Sequence, residues 1–193
     1  MQLIDGMLER CQDCSAKAVS EFSELVAIYN EARVFLERDM QTRLRDNINV
    51  RFASTTTVQK ESGTSFIPTS SLDPRALGVA ILEGDNRTIL IENGSPSYSI
   101  LATTVHELTH IWQYDALNFT KMKEDHGLLL TEGLAMWAEV ACLTKKKLAP
   151  ELCAREKSRS DVYGQGYRAI VELLKKKPKY RNPFEIILEM YKK

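Results

Sequence analysis

Neither sign of charge dominates this chain: its 193 residues carry 26 basic side chains against 26 acidic ones. That balance removes the general electrostatic pull on which nucleic-acid and anionic-membrane binders rely. No apolar run approaches the length of a bilayer span, and the first residues lack a signal-peptide pattern. The expectation is a soluble, cytoplasmic protein with no nucleic-acid and no membrane partner. Cysteine is sparse, with four in all. Cys142 and Cys153 stand eleven positions apart across a predicted helix end and make poor disulfide partners. Cys11 and Cys14 have the C-x-x-C spacing of half a zinc knuckle, but the chain offers no obvious second half, so two reduced thiols read equally well. Gly164 and Gly166 follow no strand and form no dinucleotide fingerprint; they read as a backbone turn. Histidine is rarer still: there are three, all between positions 106 and 126.

Two of those histidines define the chain's most informative stretch, His106-Glu107-Leu108-Thr109-His110, an H-E-x-x-H pattern. Gly94-Ser95-Pro96 supplies a helix start, with Ser95 as N-cap and Pro96 at the first helical position. On that helix His106 and His110 lie four residues apart, so their rings project from one face. Neutral imidazoles at this spacing suit two corners of a tetrahedral zinc site, with Glu107 in reach of a metal-bound water. Ile100, Leu101, Val105, Leu108 and Ile111 give the helix an apolar side that would bury it.

The third ligand has two candidates. His126 sits in a predicted polar connection, Asn118 to Gly127, sixteen residues past His110. The extended three-histidine pattern fails, because Gln113 and Ala116 stand where it needs glycine and histidine. Glu132 opens a predicted helix from about Leu128 to Lys147, and Gly133 beside it would permit a close approach to the motif helix. Glu132 is therefore preferred, with His126 kept as a substrate or transition-state contact. Glu139, seven residues on, reads as an acceptor for a ligand histidine or as a surface carboxylate, the second being slightly preferred.

The remaining elements frame this core. A long helix is expected from about Ser15 to Arg45, with Phe22, Leu25, Val26, Tyr29, Ala32, Leu36 and Met40 as its apolar stripe. A short strand follows at residues 49–53, then a long Ser/Thr/Gly/Pro-rich loop over 54–76. Residues 77–82 and 88–91 read as a hairpin whose second strand leads into the motif helix and could offer a free edge to an extended peptide. Val162-Tyr163-Gly164-Gln165-Gly166-Tyr167-Arg168-Ala169 opens another helix, on which Tyr163, Tyr167 or Arg168 either reaches over a metal to stabilise an oxyanion or serves in packing and capping. Asn182-Pro183 starts the last helix. The lysine runs 145–147 and 175–177 sit at predicted helix C-termini, where the macrodipole favours cations.

Taken together, Cys11-x-x-Cys14 with Ala18-Val19, His106-Glu107-x-x-His110-x-Trp112, Glu132-Gly133 and Val162-Tyr163-Gly164-x-Gly166-Tyr167-Arg168-Ala169 resemble the peptidase module of the DA-one family. These are plant LIM-containing, ubiquitin-activated peptidases with bacterial relatives. The resemblance implies that residues 1–14 are the tail of a LIM-like zinc module lying upstream, which would complete Cys11 and Cys14, and that 15–193 form a single zincin-like peptidase domain. It does not extend to ubiquitin activation, since the family's ubiquitin-interacting segments are absent from this sequence. Thr131 also departs from the acidic residue expected before Glu132.

The expected molecule is an α+β zincin-like metallopeptidase: a small mixed sheet with a hairpin packed on the motif helix, and further helices. Zn2+ would be held by His106, His110 and Glu132, with Glu107 as general base, Tyr163 and Tyr167 as further catalytic groups, and a protein or peptide substrate. A non-catalytic zinc-stabilised interaction module and a zinc hydrolase of a non-peptide bond are the rivals.

Overall fold

The computed structural model describes residues 12–63, 76–148 and 162–193. It is an α+β arrangement built around one long helix. The strands β1 (Ile48–Ala53), β2 (Gly78–Glu83) and β3 (Asn86–Glu92) form a mixed sheet in the order β1-β3-β2. β1 runs parallel to β3, with Val50 opposite Ile89, and β2 pairs antiparallel with β3, with Ala80 opposite Ile89. The hairpin turn is tighter than the five-residue connection expected. Glu83 faces Asn86 across two residues, and Gly84 takes φ 54°, as such a turn requires. β3 is the central strand, so the free edge anticipated for it belongs instead to the outer strands β1 and β2 among the described residues.

Helices α1 (Gln12–Ala16) and α2 (Phe22–Val34) replace the single helix expected from Ser15. Between them Val19 exchanges main-chain hydrogen bonds with Ser95 and Gly94, which pulls the chain out of helical geometry. The C-terminal end differs too. A wide turn at Phe35–Asp39 gives way to Gln41 at φ 56°, and Thr42 ties back to the Leu36 carbonyl through both its N–H and its hydroxyl. The apolar stripe holds at Leu25, Tyr29, Ala32 and Leu36, whereas Phe22 is exposed.

The stretch read as loop contains α3 (Thr55–Glu61), capped by Ser54, whose hydroxyl accepts from the Thr57 N–H; residues 64–75 lie outside the description. The polar connection after the motif helix is likewise a helix, α5 (Phe119–His126), capped by Asn118 and anchored by the buried Met122.

The motif helix, α4, runs from Ser97 to Ala116. Its cap is Pro96 rather than Ser95. The Ser95 carbonyl is bonded to Val19, and its hydroxyl donates to the buried Glu92, so this residue stays extended. α4 packs against β2 and β3, and also against α2 and α6 (Leu129–Lys145). α6 in turn carries α7 (Val162–Lys176), and α8 (Pro183–Tyr191) closes the core through Phe184, stacked edge-on to Trp112 at 5.0 Å. α8 starts as expected, with Pro183 in its first turn and the Asn182 side chain accepting from the Glu185 N–H. Both lysine runs fall at helix C-termini, of α6 and α7. Among the described residues no single helix is long and apolar enough to cross a membrane.

Candidate metal centre

α4 is buried along most of its length, and its inward face carries His106, Glu107 and His110. The i, i+4 spacing brings the two imidazoles together, with Nε2 atoms 2.9 Å apart. Glu132, in the first turn of α6, places Oε2 3.3 Å from His106 Nε2 and 3.4 Å from His110 Nε2. The ligand atoms of these three residues all lie within 4.8 Å of one another, so the group could hold a metal ion. His126 is not in it. That residue ends α5, is exposed, and packs its ring edge-on to Tyr191.

The surrounding groups fix which nitrogens are free to bind. Gln113, fully buried one turn past His110, donates from Nε2 to the carbonyl of Thr131 at 2.9 Å. A carbonyl can only accept, so the amide is oriented with Oε1 against His110 Nδ1, 2.9 Å away, and Nδ1 must carry the hydrogen. Glu139 Oε1 lies 2.6 Å from His106 Nδ1, and a carboxylate likewise accepts. Both histidines therefore hold a hydrogen on Nδ1 and aim Nε2 at Glu132, the nitrogen that a cation would take once its proton has left. This is the tautomer that metal-ligating histidines use, set by outer hydrogen-bond partners.

Glu139 thus corrects the preference for a surface carboxylate: it is 3% exposed and bonded to His106. Seven residues is two helical turns, which brings it back to the face of Glu132. Gln113 drew attention only as a failed glycine position. Its i+3 spacing from His110 was the available signal, but its purpose depends on a carbonyl eighteen residues away.

Charge decides what the centre attracts. Glu107, Glu132 and Glu139 surround two imidazoles in a largely buried space. Burial alone would lower the His106 pKa. Hydrogen bonds to Glu132 and Glu139, with the charges of Glu139 and Glu107, outweigh it and push the pKa up to about 10. Burial would raise Glu132, yet hydrogen bonds from His106 and His110 hold it well below the usual carboxylate range. Such a site takes up a proton, or a cation in its place, and its two nitrogens and one carboxylate oxygen suit a divalent metal.

Glu107 does not join the three ligand groups. Its Oε2 accepts from the backbone N–H of Ala80, on β2, at 2.8 Å. Tyr163, at the start of α7, brings its ring centroid to 6.0 Å from that of His106 and is 43% exposed. Tyr167 lies one turn further along the same helix, half-buried, and Arg168 is exposed beside it.

α7 can come this close because Gly133 and Gly166 meet where it crosses α6. A Cβ on Gly133 would stand 2.4 Å from the Gly166 carbonyl carbon, and one on Gly166 would stand 2.4 Å from the Leu129 carbonyl oxygen. Gly133 was expected to admit α4; it admits α7 instead. The glycines of the 162–169 stretch are not a turn but a helix contact. Of the C-x-x-C pair, Cys11 and the Cys14 side chain lie outside the described residues, as does Cys153, and Cys142 is a buried free thiol. Comparison with family models, with curated proteins and with solved structures found no match to this chain.

Proposed function

We propose that this chain is a zinc-dependent peptidase of the glutamate-zincin type, with a zincin-like fold of the DA-one-like kind. The observation that carries the reading is the pairing of two jobs on one helix turn. His106 and His110 turn their Nε2 atoms toward Glu132, while Glu107 between them is kept out of the ligand group. A purely structural site has no use for that fourth, unligated carboxylate, which speaks against a zinc-stabilised interaction module. The open edge of β2 beside Glu107 favours an extended peptide as substrate, because such an edge recognises main chain through a row of amides and carbonyls.

Zinc held by His106, His110 and Glu132 would supply a Lewis acid for the scissile carbonyl and lower the pKa of water. Glu139 and Gln113 keep the two imidazoles in the ligating tautomer and orientation. Glu107 takes the proton of the attacking water and hands it to the leaving amine. Tyr163, with Tyr167 behind it, donates to the oxygen on which negative charge develops.

The test is an activity screen on unfolded proteins, peptides and small esters, with elemental analysis of protein purified without added metal. Zinc at about one per chain and chelator-sensitive cleavage of peptides are expected. A chain that carries no metal and takes up none on titration ends the reading. Cleavage of esters but not peptides would favour hydrolysis of a non-peptide bond.

A further inference from the structure

Glu107 is tied to the sheet by main chain, and we propose that the Ala80 N–H is the positioning donor that holds its carboxylate in place for proton transfer. This builds on the peptidase reading above. In the antiparallel pair Leu77 faces Glu92 and accepts from the Glu92 N–H, so Leu77 and every second residue after it turn their backbone groups toward β3. Ala80 has the opposite parity. Its N–H points away from β3, toward the open edge, and there it meets Glu107 Oε2 at 2.8 Å.

An outward amide on an edge strand ordinarily faces water. Here it makes a charge-assisted hydrogen bond to the one carboxylate of the motif that binds no metal. The bond uses one oxygen, Oε2, and leaves Oε1 for the proton. A glutamate side chain is flexible, and a donor on a paired strand is a stiffer support than a loop or a long side chain. A peptide laid along β2 would find this N–H already taken, so substrate recognition and positioning of the base share one edge.

Amide hydrogen exchange on the full, metal-loaded chain tests the tether without reference to turnover. The Ala80 amide should be protected in the wild type and exchange about 10–100-fold faster in Glu107→Ala, the fold-change that a hydrogen bond to a charged group represents. Equal exchange in the two proteins overturns the proposal. Ala80→Pro then removes the donor without breaking a ladder bond, because this N–H is not paired within the sheet; Ala80→Val keeps the donor at similar bulk. The proline variant should lose about 10²-fold more kcat than the valine variant, with KM and metal affinity alike in both, as for a misplaced catalytic group. Equal kcat in the two also overturns it. A protected Ala80 amide in a chain that cleaves no peptide would sink the peptidase reading and leave the tether standing. An unprotected amide in an active chain would do the reverse.

Discussion

Helix α4 carries two buried polar clusters, and they are built on opposite principles. At its C-terminal end Asp115 accepts from Arg87 at 2.7 and 3.2 Å and faces Arg45 at 2.8 Å. Arg87 Nη1 donates to the carbonyls of Gly84 and Asn86, at 2.7 and 2.9 Å. Two guanidinium groups converge on one carboxylate there, and these ion pairs tie the hairpin to the helix. About one and a half to two and a half turns earlier, His106 and His110 sit among three carboxylates with both Nδ1 positions already committed. That cluster is short of positive charge. Buried polar groups are normally satisfied, so a network short of positive charge is one that a cation would close.

The contrast breaks most easily at Glu107. Glu107→Gln keeps size and shape but cannot take a proton, so kcat should fall by about 10²–10⁴-fold. Metal content should hardly change, because the residue is not a ligand. Kinetics alongside elemental analysis measures both, and proteolysis near the wild-type rate would remove Glu107 from the mechanism.

The closed cluster should respond in the opposite way. Asp115→Asn leaves Arg87, 3% exposed, without its carboxylate. Losing one partner of such a pair is expected to destabilise the fold by about 3 kcal/mol. Denaturant unfolding reads that loss, and zinc titration should find the metal affinity unaltered. An equal loss of metal binding would mean that the two clusters are not separate devices.

Within the open cluster the ligands can be ranked. Glu132→Ala should lower zinc affinity by at least about 100-fold, more than the 10–100-fold expected of Glu139→Gln, which disturbs only the support of His106. His126→Ala should leave affinity where it was. Loss of metal in the His126 variant alone would overturn the ligand assignment. The proton that His106 holds up to about pH 10 must leave when a cation binds, so affinity should rise with pH. Across about pH 6 to 8 the slope for one released proton is about tenfold per unit, and a flat profile in metal titrations would contradict it.

These comparisons also explain what could be read in advance. The clustering of His106, His110 and Glu132 was legible because the spacing 106–110 is local and helical, and because Glu132 heads a helix far enough away to return. The cap at Asn182-Pro183 was legible for the same local reason. Helices α3 and α5 were not, although Ser54 and Asn118 supply good caps. Both are short, and their sequences, TTTVQKE and FTKMKEDH, are too polar to show the apolar periodicity of a buried helix. Long α2 failed differently: its apolar stripe continues past Asp39, but the Thr42 bonds to Leu36 end the helix first. Gln113, Glu139 and Arg87 gain their roles from partners eighteen or more residues away, and no local pattern encodes those.

The glycine crossing is the subtlest of these long-range features, and it divides the site between two helices. Gly133 follows Glu132 on α6, whereas Gly166 stands three residues past Tyr163 on α7. An added methyl at either would come within 2.4 Å of backbone atoms, which cannot rotate aside as a side-chain end could, so the helices must move apart. Each substitution by alanine should cost about 1–2 kcal/mol of stability, in the range of modest overpacking. The functional consequences should differ. Gly133→Ala shifts the turn that carries Glu132 and should weaken zinc binding. Gly166→Ala moves α7 and Tyr163 while leaving the three ligands in place, so zinc should bind as before and kcat should fall. Thermal unfolding, zinc titration and kinetics on the pair resolve the two effects. If both variants lose stability but neither loses metal affinity or kcat, α7 is a packing element only, and Tyr163 has no part in the chemistry.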